Sequence, residues 1–311
     1  MARHIAKHFP LIFFAVLCMA MALSTDTFRT EQNLQNVSYR TAVVAVIALG
    51  QLLVILTGGI DLSVGSVAAL SGVAGCMLMK MGYPVPVGML AGVGVGLACG
   101  GINGLLVTLG RIPPFIVTLG MMMTARGLTL VLSGGEPVYG LPRSFAWLGG
   151  TLNWSVPVVI MLLLTAVTVV VLGYSRFGRA LYAIGGNRSA ARLSGLPVHK
   201  DMALAYMVCG ALAGFAGMML ASQTSIAAPT AAEMYELDAI AACVIGGASL
   251  MGGEGGAVGA LAGALIMQVL RNFCTLRNVE VYWQQILVGV LIVALVYYDN
   301  YRKRRTGLLS D

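Results

Sequence analysis

Thr57-Gly-Gly-Ile-Asp-Leu-Ser-Val-Gly-Ser66 is the stretch whose reading decides the fold of this chain. It sets one carboxylate, serine hydroxyls and three glycines between two apolar runs, 41–57 and 62–79. A charged group at membrane depth costs about 3 kcal/mol on insertion scales, so Asp61 reads as functional, with a buried partner. Glycines at that depth let the backbone break. Broken backbone is tolerated in a membrane only where protein or a water-filled cavity satisfies the freed polar groups. The segment therefore points to a transport path and not to a simple anchor.

Composition carries that reading to the rest of the chain. Of 311 residues, 58% are hydrophobic and only 10% are charged, against about 25% charged in a soluble domain. The expectation is an all-α polytopic membrane protein in the lipid bilayer. A single transmembrane domain covers residues 1–311, with no soluble domain of useful size. The 40 glycines suit close helix packing through small-residue faces. A net charge of +7 would hint at nucleic acid in a soluble protein. Here the cations flank apolar spans and act as topology signals, so no nucleic-acid partner is expected. Cys18, Cys76, Cys99, Cys209, Cys243 and Cys274 lie in or at the ends of spans without paired spacing. They read as small buried hydrophobes. The run 9–23 behind Arg3 and Lys7 has the look of a signal peptide, but no small-residue cleavage site follows and further spans do, so it is taken as the first transmembrane helix.

Apolar stretches predict about ten transmembrane helices, at 9–24, 41–57, 61–79, 84–109, 113–133, 155–173, 202–221, 237–250, 256–274 and 284–298. The third and the short eighth are candidates for re-entrant or broken elements. With the N-terminus in the cytoplasm, Arg3, Lys7, Arg111, Arg176, Arg179, Arg188, Arg192, Lys200, Arg302, Lys303, Arg304 and Arg305 fall inside. Outside fall Arg29, Arg40, Lys80, Arg143, Arg271 and Arg277, while Arg126 sits within the fifth span. The two-to-one excess inside supports the count and places both termini in the cytoplasm, with 299–311 as a basic cytoplasmic tail. A weak internal echo links Gly58-Gly59-x-x-x-x-Val64-Gly65-x-x-Ala68 to Gly252-Gly253-x-x-x-x-Val258-Gly259-x-x-Ala262. Transporters are often built from repeats with the site between them.

The cytoplasmic segment 174–201 is the longest polar connection before the tail. Residues 189–193 suit a short helix, with Asn187 as N-cap and Gly195 as its stop. Its basic residues read as orienting charges on a solvated connector. Yet Phe177, Ala183, Ile184, Ala190, Ala191 and Leu193 are too apolar for a free linker. A short helix with an apolar side facing the cytoplasm calls for a partner protein.

Other chemistry is poorly represented. No Gly-x-x-x-x-Gly-Lys-Ser/Thr loop is present, so the chain should not hydrolyse ATP itself. Gly92-Val-Gly94-Val-Gly96 lies inside a span and reads as a packing face. No metal-ligand spacing occurs, and His4, His8 and His199 lie at the membrane surface, outside the spans. The polar residues along the spans are Asp61, Ser63, Ser66, Gln51, Asn103, Thr118, Thr124, Arg126, Asp238 and Gln268. Asp61 with Ser63 can cap the third helix, pair with a cation or line the substrate path. Arg126 and Asp238 are the candidate salt-bridge residues, and Asn103 and Gln268 suit bonds between helices. Asp61 in a broken helix also keeps open an ion-gradient-coupled secondary sugar carrier, although such carriers usually need several buried acids or histidines.

Several motifs together are similar to one family. They are Gly58-Gly-Ile-Asp-Leu-Ser-Val-Gly-Ser66, Gly110-Arg-Ile-Pro-Pro-Phe-Ile-Val-Thr-Leu-Gly120 with Arg126-Gly127, and Tyr182-Ala-Ile-Gly-Gly-Asn187 with Ala190-Ala-Arg-Leu-Ser-Gly195. Tyr235-Glu-Leu-Asp-Ala-Ile-Ala241, Ile245-Gly-Gly247 with Gly252-Gly253, and Tyr282-Trp-Gln-Gln285 follow. In this order they resemble the permease subunits of ribose-type ATP-binding-cassette sugar importers, over nearly the whole chain. The resemblance implies a bacterial cytoplasmic (inner) membrane protein that moves ribose or a related monosaccharide by alternating access. It implies three kinds of partner: a cytoplasmic ATP-binding subunit with tandem nucleotide-binding domains, a periplasmic sugar-binding protein, and a second permease in a dimer. ATP would be used by the partner, so the permease needs no cofactor and is not an enzyme. The ATPase would dock on 174–201, at Arg176, Gly178, Arg179, Ala183, Gly185, Gly186, Asn187, Ala190, Ala191, Leu193, Ser194 and Gly195. Substrate-path or gating candidates are Asp61, Ser63, Ser66, Asn103, Thr118, Arg126, Asp238 and Gln268.

Overall fold

A computed structural model describes residues 2–305; residues 306–311 of the expected basic tail lie outside the described residues. In chain order the α-helices are α1 (Ala2–Ser24), α2 (Glu31–Leu56), α3 (Val64–Lys80), α4 (Val85–Thr108) and α5 (Pro114–Ser133). After them come α6 (Ala146–Gly149), α7 (Ser155–Tyr174), α8 (Arg176–Gly186), α9 (Arg188–Leu193) and α10 (Val198–Thr224). The chain continues through α11 (Tyr235–Ile245), α12 (Ala257–Leu276) and α13 (Val281–Arg305). Among the described residues there is no named strand; one isolated bridge joins Val138 to Ala227.

Every segment expected to span coincides with a helix. Six of them, α2, α4, α5, α7, α10 and α12, are long and apolar enough to cross a membrane by length and composition. Several bounds differ from the sequence expectation; α2, for one, starts at Glu31 and not at 41. α3 starts at Val64 and not at Asp61, because the chain stays irregular through Ser63. α11 runs over Tyr235–Ile245, not 237–250, and stops before Gly246 and Gly247. Its 11 residues span about 16 Å, roughly half the hydrocarbon thickness. Sequence patterning missed α8 altogether. Ser175 opens it by accepting from the Gly178 N–H at 2.9 Å.

α2 is the axis of the molecule. In its most apolar window 89% of residues are buried, against 22% in each of α4, α5 and α7. A helix that is apolar on all sides belongs inside, and α10, α12, α11 and α7 pack around it. The sparsely buried α4, α5 and α7 present their Leu, Val and Ile to the surroundings. Small residues let α4 and α10 approach backbone to backbone. A Cβ at Gly96 would lie 2.2 Å from the Gly210 carbonyl, and one at Gly100 2.2 Å from the Tyr206 carbonyl. The expected packing face is thus real at Gly92 and Gly96, but Gly94 meets open space. Cys76, Cys99, Cys209 and Cys243 are buried, and Cys18 and Cys274 half-buried.

Candidate functional site: two broken helices that meet

After Leu56 the α2 backbone turns on Gly58, whose φ of +76° suits glycine. The chain then runs irregularly to Val64. Asp61, 1% exposed, organises this passage. Its Oδ1 accepts from the Ser63 backbone N–H at 2.8 Å and from the Ser63 hydroxyl at 2.6 Å. Asn103 Nδ2 on α4 donates to Ser63 Oγ at 3.0 Å and to Asp61 Oδ2 at 3.4 Å. Thr118 on α5 donates to the Ile60 carbonyl at 3.3 Å. The Gln51 carboxamide faces the Asp61 peptide, its nitrogen 3.0 Å from the carbonyl and its oxygen 3.1 Å from the N–H. Three spans therefore hold one non-helical passage by its polar groups, which is how a membrane protein tolerates such backbone.

This geometry bears on two of the readings of Asp61, the ion pair and the helix cap. Its side-chain partners are neutral, so the expected pairing with a cation is not made. Ser63 sits at the N-cap of α3 without a side-chain capping bond; its hydroxyl goes to Asp61 instead. The carboxylate closes the turn before α3. Asn103 bridges α4 to the passage, as its type suggested. Two buried polar atoms near it, Asn103 Oδ1 and the Tyr206 hydroxyl beside Gly59, have no hydrogen-bond partner.

The second break precedes α11. Ser225, Ala232 and Met234 adopt φ of +57°, +54° and +68°, and they bend the chain into the short helix. Arg126 pins this loop by donating to the carbonyls of Pro229 at 2.7 Å and Ala231 at 3.1 Å. Asp238 does not pair with Arg126, the other candidate salt-bridge residue named from sequence. Its Oδ1 lies 2.6 Å from Arg271 on α12. Asp238 Oδ2, Arg271 Nε and Glu236 Oε2 are buried and without hydrogen-bond partners.

The two breaks converge. A Cβ on Gly65, in the first turn of α3, would come 2.3 Å from Glu236 Oε2 and 2.5 Å from the Ala232 carbonyl. Ser66, 2% exposed, follows in the same turn. The N-terminal ends of α3 and α11 therefore face each other inside the bundle, beside Glu236. Gln268 lies half-buried on α12, without a hydrogen bond to these groups among the described residues. Sequence reading missed Glu236, Arg271 and Tyr206. Glu236 had a signal, since it stands two residues before Asp238 at the head of an apolar run.

The candidate docking segment forms α8 and α9. Asn187 caps α9 by accepting from the Ala190 N–H at 2.9 Å, and Gly195, with φ +80°, stops the chain after it. Arg176, Arg179, Ala183, Gly186, Asn187, Ala190, Leu193, Ser194 and Gly195 are exposed. Three expected docking residues instead face inward. Ala191 and Gly178 are buried, and a Cβ on Gly178 would meet the Val171 carbonyl at 2.3 Å. Gly185 is wedged between the Leu56 carbonyl (2.0 Å from its virtual Cβ) and the Gly253 nitrogen (2.3 Å). Gly253 itself donates to Leu56 at 3.0 Å, and a Cβ on Gly252 would lie 2.7 Å from the Gly58 nitrogen. The two echoing glycine pairs thus touch, and the end of α8 sits against both. Tyr182 ties α8 to the same loop, donating to the Gly255 carbonyl at 2.8 Å. Burial raises its phenol above the ordinary value, so it stays a donor.

Comparison with known proteins adds what geometry alone leaves open. Residues 33–296 match the family model described as branched-chain amino acid transport system / permease component. The chain is 42% identical over 296 residues to the ribose import permease protein of Escherichia coli K12, covering 93% of this chain and 92% of that one. It is 40% identical to the ribose import permease protein of Bacillus subtilis, over 94% of this chain and 92% of the other. Identity to the D-allose transport system permease protein of Escherichia coli K12 is 35%, over 93% and 90%. No solved structure matches.

Proposed function

Since the chain belongs to the permease-component family, we propose that it is the membrane-spanning subunit of an ATP-binding-cassette importer for ribose or a related monosaccharide. The observation that carries this reading is the 42% identity to a ribose permease, sustained over 93% of the chain. Permeases of this family work with a separate ATPase and a substrate-binding protein. Here the ATPase, with tandem nucleotide-binding domains, docks on the exposed side of α8 and α9. A periplasmic sugar-binding protein delivers the substrate, and two permeases form the transport unit. Ten transmembrane elements, with both termini in the cytoplasm of a bacterial inner membrane, fit the distribution of basic residues.

The sugar passes by alternating access beside the facing ends of α3 and α11. Discontinuous helices that meet inside a bundle are the usual frame of a transporter site. Glu236 and Asp238 each carry a carboxylate oxygen without a protein partner, suited to accept a sugar hydroxyl. Asp61, Ser63, Asn103 and Thr118 hold the passage below in shape. A neutral hydroxyl-rich substrate matches a path in which Arg126 and Arg271 are already engaged by protein groups.

The test separates ATP-driven import from ion-coupled carriage. Cells that express the complete importer are given labelled ribose with an uncoupler while ATP is kept intact. Uptake is expected to persist under the uncoupler and to stop when ATP is depleted. Loss of uptake under the uncoupler alone would establish the ion-coupled carrier instead. Competition by unlabelled allose and arabinose then ranks the sugars.

A further inference from the structure

We propose that the cavity between the α4–α5 turn and the start of α10 binds the phosphate of an anionic membrane lipid. The cavity measures about 380 Å³, and Arg111, Arg188, Arg192 and His199 line it together with Thr108. No acidic residue lines it. Among the described residues the salt bridges are Arg29–Asp26 and Arg271–Asp238, so none of these three arginines has a carboxylate partner. The contacts of two of them are soft or basic instead. Arg188 meets the Met202 sulfur, and Arg192 lies 3.2 Å from a ring nitrogen of His199. Three guanidinium groups around one cavity repel one another and favour an anion between them; the planar fork of arginine matches phosphate oxygens in particular.

The backbone points the same way. Arg111 adopts φ +55°, a left-handed conformation in which glycine is the usual residue. Gly110 precedes it but does not take that position. The helix exit thus accepts backbone strain at an arginine that lines the cavity, and stored strain of this kind gathers at functional sites.

The surroundings name the carrier of the phosphate. Leu109 is 71% exposed at the end of α4, and Phe115 and Ile116 are 57% and 58% exposed in the first turn of α5. These side chains continue from the cavity onto two helices that protein covers sparsely. A free phosphate has no use for such a surface, whereas the acyl chains of a phospholipid lie against it. The site does not depend on the sugar carried, nor on which end of the bundle faces the cytoplasm.

The full-length chain, purified in detergent, is to be titrated with phosphatidylglycerol or with phosphatidylcholine of the same acyl chains, and bound lipid counted by native mass spectrometry. The wild type is expected to retain phosphatidylglycerol in preference. The triple variant Arg111→Gln, Arg188→Gln, Arg192→Gln should bind it roughly tenfold more weakly or worse. Should the triple variant fail to fold, Arg192→Gln alone carries the test, with a smaller loss expected. Equal retention of the two lipids, or equal binding of phosphatidylglycerol by wild type and variant, would overturn the proposal. Full displacement of the lipid by inorganic phosphate would make this a free-anion site and would also overturn it. So would a variant that keeps lipid but loses its ATPase subunit, since the arginines would then serve acidic groups of that partner.

Discussion

Asp61 is buried to 1% exposure and bonded through neutral groups. Its replacement by alanine leaves the Ser63 N–H and the Ser63 hydroxyl without their acceptor, while Asn103 keeps Ser63 Oγ; this costs about 1–3 kcal/mol for each buried group abandoned. Asp61→Ala should therefore lower the melting temperature in detergent and abolish uptake, while Asp61→Asn, which keeps one acceptor oxygen, should retain the fold. Wild-type melting and uptake in Asp61→Ala would show the burial to be incidental. Asp238 and Arg271 make a stricter case, because one partner is fully buried and the other is 25% exposed. Arg271→Ala strands a buried carboxylate and should cost about 3 kcal/mol in thermal unfolding. The double variant Asp238→Asn, Arg271→Gln removes both charges and should recover part of that loss. A double variant as unstable as the single one would mean that the pair contributes through packing alone.

At the scale of elements, function rests on where helices stop. α8 ends against the loop after α2 and the loop before α12, so a push on α8 reaches both. Gly185 and Gly186 then separate two roles. A side chain at Gly185 collides with Leu56 and Gly253 backbone, so Gly185→Val should destabilise the fold and reduce the amount inserted. Gly186 meets open space, so Gly186→Trp should insert normally yet uncouple ATP hydrolysis by the partner from sugar uptake. The ratio of hydrolysis to transport in reconstituted vesicles reads this, and wild-type coupling in Gly186→Trp would remove the docking role. Much of this element layout was legible beforehand. Apolar length found every long helix, Gly58–Gly59 marked the first break, and the shortness of the eighth apolar run hinted at the second. Other parts were not legible, for physical reasons. α8 has too few apolar residues for a span signal and takes its order from packing on α2 and α7. The Asp238–Arg271 pair joins residues 33 apart in the chain, and which cation meets which acid depends on how helices are placed around α2. The three inward-facing docking residues look no different in sequence from their exposed neighbours.

The whole molecule is a bundle built around an axis, and its two ends can be told apart by chemistry. The arginine-lined cavity sits where α4 passes into α5, at the end that also carries α9. α5 then runs 20 residues, about 30 Å, to the turn at Gly134 and Gly135 on the opposite side. If cations mark the cytoplasmic end, Ser194 faces the cytoplasm and Glu136 the periplasm. Both are exposed, so a cysteine at either reports its side without disturbing the core. A membrane-impermeant maleimide should label Glu136→Cys in intact cells and leave Ser194→Cys unlabelled until the membrane is opened. The unsubstituted chain supplies the background, with Cys18 and Cys274 only partly accessible and the other four cysteines buried. The reverse pattern would invert the molecule and place α8 and α9 beyond the reach of any cytoplasmic ATPase. Labelling of both positions in intact cells would mean that the chain does not cross between them as a single span. ATP-driven import through α8 and α9, as proposed, requires the first pattern, because helices that dock an ATPase must lie on the side where ATP is.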